Sequence, residues 1–308
     1  MASSQAIIAI ANKLGLVLHQ LDIKGAYLNE VLNENKVLYM AHQPGYKPSD
    51  MANHVLHLLK VIYRLKQATC HWYQKLCAIF ISLGYKQSAM DQAMFYKHLP
   101  QAKQLIVMAV HIDNCMIATS TTHLVEELKA RLSHYVKVTN LSELHWMLSI
   151  QVRCNCNAHT ISISQHAYIN SILCQYHFTD VKPLSTPIDT QVHLTSKQAP
   201  STTAKFVAMC DVPYHKAISM LNWVVLAMCL DIVFAIAMVA HFSTNPRPIY
   251  WEAIKWIFCY LAGMCDLCLS YSEIRHILKG YTDTDGSMAE DWQAISGYAF
   301  LIDSGAVS

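Results

Sequence analysis

The chain has 308 residues and a formal net charge of +2, from 23 Lys+Arg against 21 Asp+Glu. A hydrophobic fraction of 53% excludes global disorder, and the length allows one large domain or two ordinary ones. Charged residues make up only 14%, too few and too balanced for the basic surface of a dedicated nucleic-acid binder.

In chain order, helical spacing runs over 5–14 and a strand over 16–23. Further strands are expected at 36–40 and 55–60. An amphipathic helix over 66–83 puts Trp72, Leu76, Ile79 and Phe80 on one face, and Gly84 ends it. Two apolar runs, 105–110 and 115–118, flank His111-Ile112-Asp113-Asn114. This pattern predicts a tight hairpin with Asp113 at its tip. A helix over 122–135 follows, then a hairpin from 147–153 and 160–164, and a helix over 165–176. Residues 183–201 carry Pro, Ser and Thr without periodicity and are the linker candidate. Two or three apolar helices reach to about 262, and strands follow at 265–271, 280–282 and 298–302. A sheet begun there leaves an unpaired edge.

The apolar stretch 218–242 tests for a membrane span. Asp231 at its middle is costly in lipid, and each half is short, so two buried helices are expected, with Asp231 capping the second. The apolar surface around 218–242 favours self-association or contact with other parts of a longer protein. No signal core is seen: the run 6–11 is too short and lacks flanking basic residues. An intracellular chain, cytoplasmic or nuclear and with no membrane partner, is therefore expected. The 11 cysteines are read as reduced and mostly buried. Cys265-Asp-Leu-Cys268 is a CxxC and Cys154-Asn-Cys156 a looser pair. A structural zinc site would need two such pairs to meet, against the simpler reading of small apolar side chains.

Asp22 closes an apolar strand and Asp113 sits on a hairpin. Two acids so placed can grip divalent ions for phosphoryl transfer, although solvated turn residues would look the same. The surrounding segments narrow this. Leu18-His-Gln-Leu-Asp22-Ile-Lys-Gly-Ala-Tyr-Leu28-Asn resembles the first catalytic segment of copia-type retrotransposon reverse transcriptases. Leu38-Tyr-Met-Ala-His-Gln-Pro-Gly-Tyr46 is similar to the segment that follows it there. Ile62-Tyr-Arg-Leu-Lys-Gln67-Ala-Thr-Cys-His-Trp72-Tyr resembles the Leu-Lys-Gln-Ala block. The hairpin stands where the family has Tyr-Val-Asp-Asp. Leu141-Ser-Glu-Leu, Pro183-Leu-Ser-Thr-Pro187, Asn245-Pro and Trp251-Glu-Ala fall in family order. Gly280-Tyr-Thr-Asp283-Thr-Asp285 and Ser296-Gly-Tyr298 resemble the opening of the attached ribonuclease H domain.

The resemblance implies an α+β chain: a polymerase palm/thumb-like domain at 1–185 lacking most of the fingers, a linker and helical connection at 186–262, and an incomplete ribonuclease H-like sheet at 263–308. It implies an RNA-directed DNA polymerase using Mg2+, with Mn2+ as substitute, acting on nucleotides and an RNA or DNA template-primer within a retrotransposon polyprotein. By position, Asp22 and Asp113 are metal carboxylates and the third falls on Asn114. Gln67 lies near nucleotide and template, His111 replaces the Tyr beside the primer end, and Asp283 matches the first ribonuclease H metal ligand.

Departures from the pattern point to impairment. Asn114 removes a negative charge beside two dications. Even about 3 kcal/mol of lost transition-state stabilisation is roughly a hundredfold in rate. A His111, Asp22 and Asp113 metal set is the compensating alternative. Arg64, Ser142 and Ser149 stand where the family has Gly, and Thr69-Cys70 replaces Pro-Arg. Both ends look cut, so no ribonuclease H activity is expected. The competing reading is a non-catalytic nucleic-acid-binding or protein-interaction remnant.

Overall fold

The computed structural model describes residues 1–29, 31–32, 37–43, 45, 54–99, 104–155, 157–189, 191–192, 194–195, 209, 211–272, 278–285, 295–302 and 305–308. The content is mixed α+β. The chain packs as two units, one made of Leu14–Leu144 and the other of Met1–Lys13 with His145–Ser308.

The chain opens with α1 (Ala2–Leu14), turns at Gly15 with φ 61°, and enters β1 (Val17–Ile23). At the end of β1 burial alternates: Leu21 and Ile23 are buried, while Gln20 and Asp22 are half-buried on the other face. β2 (Tyr39–Met40) pairs with β3 (Leu56–His57) in a ribbon shorter than the expected strands. Tyr39, Val55, Leu56 and Leu59 are exposed, so no buried face extends the pairing. Residue 36 lies outside the described residues.

Helix α2 (Ala68–Ser82) buries Trp72, Leu76, Ile79 and Phe80, as its spacing predicts. Gly84, at φ 84°, closes it: its N–H donates to Ile81 O at 2.9 Å, and Tyr85 N–H donates to Phe80 O at 3.0 Å. Next come β4 (Lys86–Gln87), β5 (Met94–Leu99), β6 (Gln104–His111), β7 (Asn114–Thr119), α3 (Thr122–Leu132) and β8 (Val138–Glu143). The six strands form one antiparallel sheet in the order β4-β5-β6-β7-β1-β8. β1 and β7 are thus interior neighbours. Leu21 and Ile23 share a core with Trp72, Phe80, Met108, Ile117 and Leu128.

In the other unit, β9 (Trp146–Met147), β10 (Ile150–Asn155) and β11 (Thr160–Ser164) precede α4 (His166–Gln175). The apolar stretch 218–242 divides between α5 (Tyr214–Ala227) and α6 (Val233–Ala240), followed by α7 (Pro248–Met264). Their core includes Leu221, Val224, Ile236, Val239, Ile254 and Phe258. The apolar surface they leave open is Leu226, Leu230, Val233 and Phe234. Asp231 does not cap α6: the N-cap is Ile232, without a side-chain bond, and the Asp231 carboxylate accepts from the Tyr260 hydroxyl. Among the described residues, no helix is long and apolar enough to cross a membrane.

The linker candidate lacks regular structure where it is described, yet it is tied to α7. Leu184 N–H donates to Cys259 O at 3.3 Å, Trp256 Nε1 to Thr186 O at 2.8 Å, and the Tyr250 hydroxyl to Thr195 O at 2.8 Å. β12 (Leu269–Ser272) completes the sheet β12-β11-β10-β9. β13 (Leu278–Asp285), β14 (Ile295–Ile302) and β15 (Gly305–Ala306) form a separate antiparallel sheet. The described cysteines are not mostly buried, against expectation. Only Cys115 is buried, and Cys70, Cys154, Cys174 and Cys268 are exposed. Cys156 lies outside the described residues.

Candidate active site

The β6–β7 hairpin is a two-residue turn, Ile112-Asp113, closed by the pair His111↔Asn114. Ile112 has φ 58°, a left-handed conformation that a β-branched residue adopts only under strain. The buried Trp72 holds this turn, its Nε1–H donating to Ile112 O at 2.7 Å. Packing of α2 against the sheet thereby fixes the hairpin tip.

β1 supplies the second half. Asp22 pairs with Asn114, and Ile23 N–H donates to Asp113 O at 2.8 Å. His111, Asn114 and Asp22 therefore form one row across β6, β7 and β1. Asp113 sits in the turn and not on the strand, so strand alternation does not put it on one face with His111. His111 is exposed at the end of the row. Among the described residues it does not join the two aspartates in a three-donor cluster.

Asp22, Asp113 and Asn114 are each half-buried. The Asp22 carboxyl is raised above its ordinary range, first by burial and then by Asp113, with Lys24 opposing. Asn114 is bonded at both ends of its amide: its Nδ2–H donates to Asp113 Oδ1 at 3.2 Å, and its Oδ1 accepts from Gln20 Nε2 at 3.1 Å. The amide thus turns a donor toward the carboxylate. Cys115, buried behind the pair, has its thiol pushed up to about 12 by burial and then by Asp113 and Asp22.

Two site residues were not anticipated from sequence. Gln20 is two positions before Asp22, so strand periodicity could have found it. Tyr63 could not be found that way, since only the fold brings it near. Its hydroxyl pKa is raised by burial, then by Asp113, Tyr27 and Asp22, and its ring meets Tyr27 edge-on at 4.7 Å. Gln67 is half-buried at the N-terminus of α2, where its carbonyl accepts from His71 N–H at 3.1 Å. Asp283 stands exposed on β13, in the other unit, and its Oδ1 accepts from Thr284 N–H at 2.9 Å.

Residues 1–190 match the family described as reverse transcriptase (RNA-dependent DNA polymerase). The retrovirus-related Pol polyprotein from transposon TNT 1-94 of Nicotiana tabacum is 30% identical, over 100% of this chain and 23% of that protein. The corresponding polyprotein from transposon RE2 of Arabidopsis thaliana is 26% identical over 96% of this chain and 20% of its own length. A transposon Ty5-1 protein of Saccharomyces cerevisiae is 22% identical over 92% of this chain and 89% of its own length. The chain spans about a quarter or less of the two plant polyproteins. By the family match and by identity along its whole length, the chain belongs to the reverse transcriptase family of copia-type retrotransposon Pol polyproteins.

Proposed function

We propose that this chain is a polymerase domain whose nucleotidyl-transfer site has lost most of its activity. The reading assigns a palm-like domain to 1–185, a helical connection to 186–262 and a ribonuclease H-like start to 263–308. Its substrates would be nucleotides and an RNA or DNA template-primer. The observation that carries it is the bond from Asn114 Nδ2 to Asp113 Oδ1.

Nucleotidyl transfer of this kind uses two divalent ions. Asp22 and Asp113 supply two carboxylates, enough for one hard cation with oxygen ligands. A second ion does not fit. It needs further negative charge, and Asn114 offers Asp113 an N–H while Gln20 occupies its oxygen. A bound Mg2+ would supply Lewis-acid stabilisation of phosphate charge. The residues themselves contribute position: Trp72 fixes the hairpin, and the β1–β7 register brings Asp22 beside it. In this reading His111 lies beside the primer end and Gln67 near the nucleotide. Asp283 is the sole carboxylate proposed for a ribonuclease H centre, and one acid cannot hold two dications.

Primer extension tests the proposal. The purified chain should extend poorly with Mg2+ or Mn2+. Asn114→Asp should raise the rate about a hundredfold, the order expected for roughly 3 kcal/mol, and Asp113→Ala should abolish that gain. Robust extension by the parent chain, unchanged by Asn114→Asp, would overturn it.

A further inference from the structure

The CxxC at Cys265 does not meet a second cysteine pair among the described residues. It meets a histidine instead. β11 and β12 pair with Ile163 opposite Leu269 and Thr160 opposite Ser272. Continued past the strand ends, that register sets the first residue of α4, His166, against the turn that follows α7. His166, Cys265 and Asp266 each bring one donor atom within 4.8 Å of the other two. His166 Nδ1 is 3.0 Å from Asp266 Oδ1 and 3.3 Å from Cys265 O. Two backbone segments build the cluster, the start of α4 and the turn after α7, and all three side chains are short.

We propose that His166 Nδ1, Cys265 Sγ and an Asp266 carboxylate oxygen form a zinc site that ties the start of α4 to the α7–β12 turn, with the fourth position open to water. A thiolate, an imidazole and a carboxylate together suit Zn2+ and not Mg2+ or Ca2+. Tetrahedral zinc with metal–ligand bonds of about 2.0–2.3 Å sets its donors roughly 3.3–3.8 Å apart. The present spacing needs only small side-chain rotations to reach that. His166 Nδ1–H now donates to Cys265 O at 3.3 Å with the Asp266 carboxylate 3.0 Å away, and its Nε2 accepts from Asn170 Nδ2 at 2.7 Å. With the ion on Nδ1 the ring proton moves to Nε2, and a flipped Asn170 amide offers it Oδ1. That is the outer-shell partner a zinc histidine ordinarily has. Cys265 gives its thiol proton to solvent as the Zn–S bond forms. The thiol of Cys268 points elsewhere, donating to Asp266 O at 3.7 Å, and is not assigned as a ligand.

The test uses the whole chain, reduced and freed of metal with chelator, titrated with Co2+ as an optical stand-in and then with Zn2+. One equivalent should bind, giving the sulfur-to-cobalt charge-transfer band and tetrahedral d–d bands, and Zn2+ should displace it. Cys265→Ser should abolish the charge-transfer band. The surface changes His166→Gln and Asp266→Asn, which leave the buried core untouched, should each weaken binding tenfold or more. Cys268→Ser and Cys70→Ser should leave the spectrum intact. Zinc should raise the melting temperature of the parent and not of Cys265→Ser. A band that survives in Cys265→Ser, binding indifferent to His166→Gln, or no one-equivalent binding at all would overturn the proposal.

Discussion

At the scale of single residues, backbone conformation records what side chains have replaced. Arg64, Ser142 and Ser149 hold φ of 71°, 66° and 67°, the left-handed region that suits glycine. These are the positions where the resembled family carries Gly, so the strain was legible before the fold was known. His177 adds a case that only the structure reveals. It has φ 61° one residue past the α4 cap, where its N–H donates to Cys174 O and Phe178 N–H to Leu173 O, a role usually filled by glycine. Replacing Arg64, Ser142, Ser149 or His177 singly by Gly should stabilise the chain by about 0.5–1 kcal/mol, since relieved strain exceeds the added chain entropy. Chemical denaturation measures it. Asp22 carries a different cost. Its folded-state pKa is raised, so the folded chain binds more protons than the unfolded one as pH rises through the carboxylate range, and stability falls there. Asp22→Asn should therefore raise the melting temperature at neutral pH. That gain should shrink as pH falls through the raised value toward 3.8, the ordinary value. A gain that persisted at low pH would assign the effect to packing instead.

Among the elements, the hairpin shows how local pattern and long-range packing divide the work. The two apolar runs and the polar tip sufficed to predict the turn. The left-handed Ile112 and its clamp by Trp72 arise only when α2 packs on the sheet. β8 escaped prediction because most of its residues are exposed and its burial does not alternate, while β1 was clear because Leu21 and Ile23 repeat with period two. Asp22 and Asp113 were readable as residues from their motifs. Their meeting, and the orientation of Asn114 between Asp113 and Gln20, depend on the register of β1 with β7. Trp72→Phe removes one part-buried hydrogen bond, the one to the Ile112 carbonyl. It should cost about 0.5–1.5 kcal/mol. The Ile23 amide, which donates to Asp113 O, should exchange with solvent faster than in the parent, while amides of β5 should not. Equal acceleration in both strands would place the loss in the whole unit and not in the clamp.

For the whole molecule, low charge and exposed apolar surface act together. On the β13–β14 ribbon the cross-strand pairs Leu278↔Ile302, Gly280↔Phe300 and Thr282↔Tyr298 share one face. A Cβ on Gly280 would meet the Phe300 ring at 2.8 Å, so that ring covers the glycine. Leu278 and Tyr298 are 66% and 67% exposed, and Phe300 is 40% exposed. β13 ends its sheet, with no neighbour on its outer side among the described residues. An apolar strip beside an open strand edge promotes pairing between chains, and charge at 14% supplies little repulsion to oppose it. The purified chain should therefore self-associate as concentration rises. Leu278→Lys combined with Tyr298→Lys should shift it toward monomer in sedimentation velocity without altering its circular dichroism, since neither side chain is buried. Leu226→Lys with Phe234→Lys, on the separate apolar patch of α5 and α6, serves as the contrast. If that pair restores the monomer and the ribbon pair does not, association runs through the helices and the open edge is not its cause.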